Sequence, residues 1–338
     1  MNTHVGIIGT GIYIPKKRMS AKQIAEATDG GWTEQAVIEK LGIKQIVIPE
    51  DDEGTQEMGV KAALNALDNT GVDPKSIDLL ICIGEEWKEY PLTTSGIYIQ
   101  ERIGATNAWA IDVQQRCDTT VAAMKMAKDM MFSDDEINTV MIVGGYRNGD
   151  FIDFKDPSVS FMYNLSAGAG ALIMKKNLGR NLVLGTHIMT DGSLARAVGV
   201  KFGGINNPIT AENAHFAYKS LKVFDEKYMK DRLNEISMKS WMHCIDRAFQ
   251  KSGIDRDKIG YLASLHFKRS MYEYMLEELG LTMDQTVYLE DYGHLGQIDQ
   301  ILSLHLGLQQ GRIINGTIVS MIAAGIGYAW GANVIRWG

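Results

Sequence analysis

The segment ALDNTGVDPKSIDLLICIG, residues 66–84, occurs twice in the chain in related form. It aligns without a gap with AFQKSGIDRDKIGYLASLH, residues 248–266, so that Gly71 matches Gly253 and Asp73 matches Asp255. Each copy contains the end of a helical pattern, a turn with glycine and aspartate, and an apolar run typical of a buried strand. The sequence therefore predicts a helix, turn and strand unit that is present in two copies.

The similarity extends to segments on both sides of this unit. The apolar run VGIIGTG near residue 5 resembles LVLGTHI near residue 183, and TVMIVGGY at 139 resembles TIVSMIAAGIGY at 317. Because near-continuous apolar strands alternate with helical patterns, we expect mixed sheets that are covered by helices on both faces. We predict two similar halves, residues 1–175 and 176–338, with a surface excursion from Lys201 to Asp231.

The first strand, Val5 to Ile8, is followed by Gly9-Thr10-Gly11. A glycine-rich turn after a strand can bind a dinucleotide, but the full G-x-G-x-x-G spacing is absent and Pro15 stands where a helix should continue. We therefore interpret these glycines as a structural turn.

Composition excludes several classes of function. A net charge of −7 and a pI near 5.6 argue against a nucleic-acid or anionic-membrane partner, although a local basic patch could receive an acidic carrier or a phosphorylated cofactor. The three cysteines, Cys82, Cys117 and Cys244, are far apart, which favours a reducing cytoplasm and indicates no metal site. The chain shows no signal peptide pattern and no apolar run of about 18 residues, so we predict a cytoplasmic protein without a membrane span.

The candidate nucleophile lies in NAWAIDVQQRCDTTVAAMKMAKDMM, residues 107–131. Residues 108–113 have the pattern of a buried strand, and a helical pattern begins at Thr119. Cys117 lies between them, where free N–H groups and the helix dipole favour a thiolate. We expect Asp118 to be the N-cap residue of this helix. From these residues alone, Cys117 could equally be a small buried hydrophobic residue.

Six landmarks in order give the sequence a specific resemblance. They are IGTGIYIPKK near the start, IGATNAWAIDVQQRC up to Cys117, SAGAGALIM at 166–174, LASLHFKRS around His266, YGHLGQIDQILSL at 292–304, and the terminal AAGIGYAWGANVIRW. With them the chain resembles the thiolase superfamily, and within it the β-ketoacyl-acyl-carrier-protein synthase III type. The resemblance implies a five-layered αβαβα fold of two duplicated halves and a homodimer that pairs through the sheets of the first halves.

The resemblance also implies the chemistry. Cys117 would take the acyl group from a thioester, and the backbone N–H groups of Cys117 and Ile326 would form the oxyanion hole. His266 occupies the first histidine position of the family, and His294 stands where synthase III enzymes have asparagine. We predict decarboxylative condensation with a malonyl thioester, with CoA or phosphopantetheine thioesters as substrates and no further cofactor.

Three other functions remain open at this point. Asp299, five residues after His294, could orient that imidazole, as in related proteins that transfer an acyl group to an alcohol or amine; it could also be only a helix-cap carboxylate. Glu86 resembles the general acid of hydroxymethylglutaryl-CoA synthases, or belongs to a solvated pair at a strand end. Some thiolase-like chains are non-catalytic partner subunits.

The acyl donor is also left open. Where synthase III enzymes have a tryptophan followed four residues later by an arginine, this chain has Ala36 and Lys40. Lys40 keeps the charge but not the bidentate fork of an arginine. Lys268 and Arg269 follow the first histidine and could dock an acidic carrier protein. We therefore predict binding of acyl-CoA, acyl carrier protein, or both.

Overall fold

The computed structural model of the protein describes residues 3–84 and 87–338. The strands are β1 (Val5–Tyr13), β2 (Lys17–Ser20), β3 (Gln45–Ile48), β4 (Leu79–Cys82), β5 (Trp109–Asp112), β6 (Thr139–Tyr146), β7 (Gly168–Lys176), β8 (Leu182–Thr190), β9 (Val198–Val200), β10 (Leu221–Val223), β11 (Ile259–Ser264), β12 (Ile318–Gly325) and β13 (Ala329–Arg336). The helices are α1 (Ala21–Ala27), α2 (Glu34–Ala36), which continues as a π-helical turn over Val37–Leu41, α3 (Thr55–Thr70), α4 (Ser95–Ile103), α5 (Thr119–Ser133), α6 (Glu226–Ser252), α7 (Arg269–Glu278) and α8 (Asp299–Gln309).

One sheet of nine strands runs through the molecule in the order β11-β12-β13-β8-β1-β7-β6-β4-β5. The five strands from β1 to β5 in this order belong to the first half, and the other four belong to the second. The two groups join where β1 pairs with β8 at Gly6 and Leu182. β4 is parallel to β6 and β11 is parallel to β12, while β6–β7 and β12–β13 are antiparallel. The two halves therefore have the same topology.

The repeated segment has the same structure in both copies. A helix, α3 or α6, ends at a left-handed glycine, Gly71 with φ 66° or Gly253 with φ 65°. A 3₁₀ turn follows, and the chain then enters β4 or β11. The left-handed conformation is the reason for glycine at this position, because an L side chain would be strained there. The predicted helix, turn and strand unit is confirmed.

The helices form three layers around the two halves of the sheet. α3 packs on β1, β6 and β7, and α4 packs beside it, on one outside face. α6 packs on β8, β12 and β13 on the other outside face, and α5 and α8 contact strands of both halves. The layers therefore alternate as helix, sheet, helix, sheet, helix, which confirms the predicted five-layered αβαβα fold.

The glycines after residue 8 do not form a turn, so this prediction was wrong. Gly9 and Gly11 lie inside β1, which continues to Tyr13. A Cβ atom at Gly11 would lie 2.2 Å from the Ala66 backbone nitrogen and 2.4 Å from the Ala62 carbonyl oxygen. The glycine is needed because α3 approaches the strand closely at two alanines.

β5 is the edge strand of the sheet and is less buried than its apolar sequence predicted. Trp109 is 47% exposed and Ile111 is 37% exposed. The run of apolar residues predicted the strand correctly. It did not predict the partial exposure of β5, because other layers of the structure cover this edge strand only in part.

The excursion predicted from Lys201 to Asp231 is shorter in the structure. The strands β9 and β10 pair with each other, and residues 201–220 form the irregular loop between them. α6 begins at Glu226, with the Asp225 carboxylate accepting a hydrogen bond from the Tyr228 N–H. The charged composition of residues 226–231 therefore reflects an exposed first part of this helix.

The boundary between the halves at residues 175 and 176 stays a prediction. β7 ends at Lys176, and β8 begins at Leu182. Within the described residues, no helix is both long enough and apolar enough to cross a bilayer.

Candidate active site

Cys117 lies at the junction between the first half of the sheet and the central helices. After β5 the chain forms a 3₁₀ turn over Arg116–Asp118 and continues directly into α5. Gly325 at the end of β12 packs against this turn, where a Cβ atom would lie 2.4 Å from the Gln115 carbonyl oxygen. This close approach brings the hairpin between β12 and β13 beside Cys117, which is buried but borders a cavity.

A corresponding turn precedes the other central helix. Residues Gly296–Ile298 form a 3₁₀ turn before α8. In the first half, the Gln115 N–H donates to the Thr119 hydroxyl at 2.8 Å. In the second half, the Leu295 N–H donates to Asp299 Oδ1 at 2.7 Å. Each turn therefore has the equivalent hydrogen bond from a backbone N–H to the side chain of the first helical residue. Only Asp299 has a second side-chain oxygen that can accept from another partner.

That second oxygen connects Asp299 to both candidate histidines. The His294 Nδ1–H donates to Asp299 Oδ2 at 2.5 Å, and the His266 backbone N–H donates to the same oxygen at 2.7 Å. The Asp299 side chain is fully buried. It is therefore more than a helix-cap carboxylate, because it fixes the orientation of one histidine and the backbone of the other.

His294 in turn contacts the candidate nucleophile, Cys117. Its Nε2 lies 3.2 Å from Cys117 Sγ, so the sulfur, the imidazole and the Asp299 carboxylate form a continuous chain. Burial lowers the pKa of His294, but the charges of Asp299 and Cys117 and their hydrogen bonds outweigh it and hold the pKa well above its usual value. His294 is therefore held as an imidazolium, with Nδ1 toward Asp299 and Nε2 toward the Cys117 sulfur.

His266 has different surroundings. Its Nδ1 lies 3.0 Å from the Asn164 side-chain nitrogen, and its Nε2 lies 3.2 Å from the Gly42 carbonyl oxygen. Burial lowers the pKa of His266 to about 4. This histidine is therefore neutral at physiological pH, and both of its ring nitrogens have protein partners.

Cys117, His266 and His294 line one cavity of about 560 Å³. Ile326, in the turn between β12 and β13, lines the same cavity. Most of the remaining wall is apolar and includes the aromatic residues Trp32, Phe151, Phe161, Trp241, Phe267, Tyr328 and Trp330. Such a cavity can exclude water from a thioester while a few polar groups act on its reactive end.

Asp118 is at the predicted N-cap position of α5, but the prediction that its carboxylate caps the helix was wrong. Asp118 already has helical backbone angles, because the 3₁₀ turn leads into α5 without an extended residue between them, and its side chain caps no N–H group. Both carboxyl oxygens are buried and have no hydrogen-bond partner among the described residues. Burial raises the pKa of Asp118 well above its usual value, so the group is a neutral acid.

This carboxyl makes the stability of the protein depend on pH. Below about pH 4, where the unfolded chain is also protonated, Asp118 has no effect. As the pH rises, the unfolded state ionises and the folded state does not, so stability is lost up to the raised pKa. We expect Asp118→Asn to have nearly wild-type stability at pH 4 and to be more stable than wild type at pH 8 by roughly 2 kcal/mol or more.

Urea unfolding of both proteins between pH 4 and pH 8 measures this difference. The control is Asp129→Asn, on the same helix, where an exposed carboxylate is paired with Lys125. Its effect should stay within about 0.5 kcal/mol at every pH. A difference between wild type and Asp118→Asn that does not change with pH would contradict the prediction.

Comparisons with known proteins agree with this architecture. Residues 111–192 match the family model for 3-oxoacyl-[acyl-carrier-protein] synthase III, and residues 249–337 match the model for its C-terminal part. The chain belongs to this family. The matched residues include Cys117 in the first range and His266, His294 and Asp299 in the second. The family predicted from the six landmarks is confirmed.

Relatives of the synthase III family match along nearly the whole chain. The β-ketoacyl-[acyl-carrier-protein] synthase III of Allorhizobium ampelinum is 26% identical over 335 residues, which cover 97% of this chain and 98% of the relative. The crystal structure of the 3-oxoacyl-[acyl-carrier-protein] synthase III of Aquifex aeolicus has the same fold, with a TM-score of 0.83, 20% identity and coverage of 98% and 100%. The priming β-ketosynthase of the R1128 polyketide pathway has a TM-score of 0.83, 22% identity and coverage of 99% and 96%.

Of the three residues predicted to bind the acyl donor in this synthase III family member, two line the cavity and one does not. Lys40 and Lys268 line the cavity. Arg269 is not among the lining residues, because its guanidinium pairs with Glu290 at 2.5 Å and lies over the Tyr288 ring. The prediction grouped Arg269 with Lys268 from adjacency in sequence, but α7 begins at Arg269 and directs the two side chains differently.

A tryptophan is present at the cavity, although the sequence comparison placed Ala36 at the position of the family tryptophan. Trp32 lines the cavity, and Lys40 Nζ lies 5.9 Å from the centroid of its ring. Trp32 precedes Ala36 by four residues, so the interpretation of the sequence placed the tryptophan position four residues too late to include it.

Glu86 lies outside the described residues, so its role stays a prediction.

Asn164 was not identified from the sequence, although it contacts His266 and its backbone oxygen accepts a hydrogen bond from the His294 N–H at 2.8 Å. The available signal was one polar residue between apolar neighbours just before the SAGAGALIM landmark.

Proposed function

We propose that this synthase III family member is an acyltransferase that condenses an acyl group, held on Cys117 as a thioester, with a malonyl thioester. The observation that carries the proposal is the contact between Cys117 Sγ and His294 Nε2 at 3.2 Å, with His266 beside them in the same cavity. A thiolate, a cationic imidazole and a neutral imidazole are the groups that this two-stage reaction requires.

In the first stage, the Cys117 thiolate attacks the carbonyl carbon of the acyl thioester. The negative charge that develops on the oxygen would be stabilised by the N–H groups of Cys117 and Ile326. The C–S bond to the donor breaks, and the departing thiolate takes the Nε2 proton of His294 and leaves as a thiol. Asp299 keeps the imidazole oriented through Nδ1 during this transfer.

In the second stage, a proton from solvent restores the His294 imidazolium and a malonyl thioester enters. Its C–C bond to the carboxylate breaks, carbon dioxide leaves, and the electron pair forms an enolate. The enolate oxygen would accept hydrogen bonds from the Nε2–H groups of His266 and His294. The enolate carbon then bonds to the acyl carbon, and the Cys117 thiolate is released.

One observation favours a second function, acyl transfer to an alcohol or amine. Cys117, His294 and Asp299 form a continuous chain, while both ring nitrogens of His266 are bound by the protein. In this reaction neutral His294 would remove a proton from the acceptor, and no carbon dioxide would be formed.

The two reactions are separated by adding malonyl-CoA or malonyl carrier protein, labelled at the free carboxylate, to the isolated acyl-enzyme. We expect labelled carbon dioxide and a 3-oxoacyl product. We also expect His294→Ala to slow carbon dioxide release by about 10²-fold or more, because a positioned charge-stabilising donor is lost. The second function would be favoured if the acyl-enzyme released no labelled carbon dioxide but transferred its acyl group to a small amine or alcohol, and if this transfer required Asp299.

We further propose that the protein is a cytoplasmic homodimer. The edge strand β5, with its exposed Trp109 and Ile111, offers unpaired backbone groups and apolar surface to a second copy. Cys82, Cys117 and Cys244 are free and buried, which suits a reducing compartment. The basic Lys40 and Lys268 at the cavity suit the phosphate groups of CoA or of a carrier-bound phosphopantetheine.

A further inference from the structure

Asn164, which belongs to the first half of the chain, contacts both His266 and His294. It lies in a short segment before β7 that pairs with His294: the His294 N–H donates to the Asn164 oxygen at 2.8 Å, and the Ser166 N–H donates to the His294 oxygen at 3.0 Å. The side chain is buried, and its Nδ2 lies 3.0 Å from His266 Nδ1. Asn164 is therefore fixed by its backbone while its amide meets the ring of His266.

The second ring nitrogen of His266 decides where the proton lies. Nε2 faces the Gly42 carbonyl oxygen at 3.2 Å, and a carbonyl oxygen can only accept a hydrogen bond. The proton must therefore be on Nε2. A neutral imidazole has one N–H group, so Nδ1 is without a proton and accepts from the Asn164 amide. The hydrogen bonds on the two sides of the ring thus specify one tautomer.

His294 is held in the opposite way. Its Nδ1 faces the Asp299 carboxylate, which requires a proton there, and its Nε2 faces the Cys117 sulfur. An amide behind one histidine and a carboxylate behind the other separate their protonation states within one cavity. A second imidazolium at His266 would repel the first, so the amide at residue 164 also protects the charge of His294.

We propose that Asn164 is a positioning residue that keeps His266 as a neutral Nε2–H donor, and that the Gly42 carbonyl is its resting acceptor until a substrate thioester oxygen replaces it. The second part rests on the proposed function, because that oxygen would belong to the malonyl thioester. The first part concerns the protein without substrate. The exchange moves one hydrogen bond from Gly42 to the substrate and breaks no covalent bond.

The test uses protein labelled with ¹⁵N in its histidine rings, because protonated and unprotonated ring nitrogens have well-separated ¹⁵N shifts. The His266 signals are assigned from their absence in His266→Gln. In wild type we expect one protonated nitrogen, Nε2, at every pH from 6 to 9. In Asn164→Asp, an isosteric carboxylate that can only accept should bring a second proton to Nδ1, so that His266 becomes an imidazolium at neutral pH.

The matched variant Asn164→Leu has similar volume but no hydrogen bond to the ring. We expect its malonyl decarboxylation to fall roughly 10- to 100-fold, because the His266 ring loses its fixed orientation. Acylation of Cys117 by acyl-CoA should stay within about twofold, since that step uses His294. A general structural defect would instead slow both steps.

A proton on Nδ1 of His266 in wild type, or a neutral His266 in Asn164→Asp, would overturn the positioning role whatever the activity. Wild type with the expected tautomer but without malonyl decarboxylation would support that role and overturn the proposed condensation. Equal slowing of acylation and decarboxylation in Asn164→Leu would also contradict the specific role of Asn164.

Discussion

Replacement of Cys117 by alanine is expected to abolish the acyl-enzyme and to lower turnover by about 10⁴-fold or more. The sulfur is the atom on which the acyl group is held, and His294 cannot replace it because its Nε2 is the proton donor of the same step. Incubation of wild type and variant with a panel of acyl-CoAs, followed by intact-mass measurement, reads this directly. An adduct of unchanged mass on Cys117→Ala would refute the assignment.

The other two cysteines provide controls for this measurement. Burial raises the pKa of Cys82 to about 12 and that of Cys244 to about 12. Neither residue borders the cavity. Cys82→Ala and Cys244→Ala should therefore form the acyl adduct as wild type does. Failure of wild type to form any adduct with any donor would instead favour a non-catalytic partner subunit.

Replacement of Asp299 by asparagine is expected to lower turnover by roughly 10³- to 10⁴-fold, as for the buried aspartate of other nucleophile and histidine pairs. An amide can still accept from one N–H group, but it no longer supplies the charge that favours the His294 imidazolium. The pKa of His294 should therefore fall in the variant. Because the charged form is needed as a donor, the alkaline limb of the pH profile for malonyl decarboxylation should move to lower pH.

Asp118→Asn is the control for this change, since it makes the same chemical replacement at another buried carboxyl whose oxygens have no hydrogen-bond partner among the described residues. It should retain activity within a few-fold. If Asp299→Asn shows a small loss of activity and an unshifted pH profile, Asp299 acts only on the backbone N–H groups of Leu295 and His266.

The sequence predicted the parts of the molecule that local patterns control. The repeated unit at residues 66–84 and 248–266 specified the layers, because the same apolar strand and glycine cap require the same packing twice. The five-residue spacing of His294 and Asp299 could be interpreted because both lie around one helix start. Cys117 was predicted to be the nucleophile from its position before a helix and from the resemblance to a family.

Contacts between distant segments could not be predicted in this way. Asn164 and His266 are separated by 102 residues, and no periodic pattern connects them. Trp32 lies four residues before the position expected for it, and the edge position of β5 depends on the order of the whole sheet. The helix start at Thr119 was predicted correctly, but the side-chain cap expected from Asp118 is absent because the preceding 3₁₀ turn gives this residue helical backbone angles.

The two matching turns before α5 and α8 have a consequence for the dissection of this protein. The first turn contains Cys117 and is followed by Thr119, whereas the second lies between His294 and Asp299. Neither half contains both the proposed nucleophile and its histidine, because Cys117 lies in the first half and His294 in the second. We therefore expect either half, expressed alone, to have no turnover even if it folds. Mixing the two halves as separate chains should restore turnover, because the mixture again contains both Cys117 and His294.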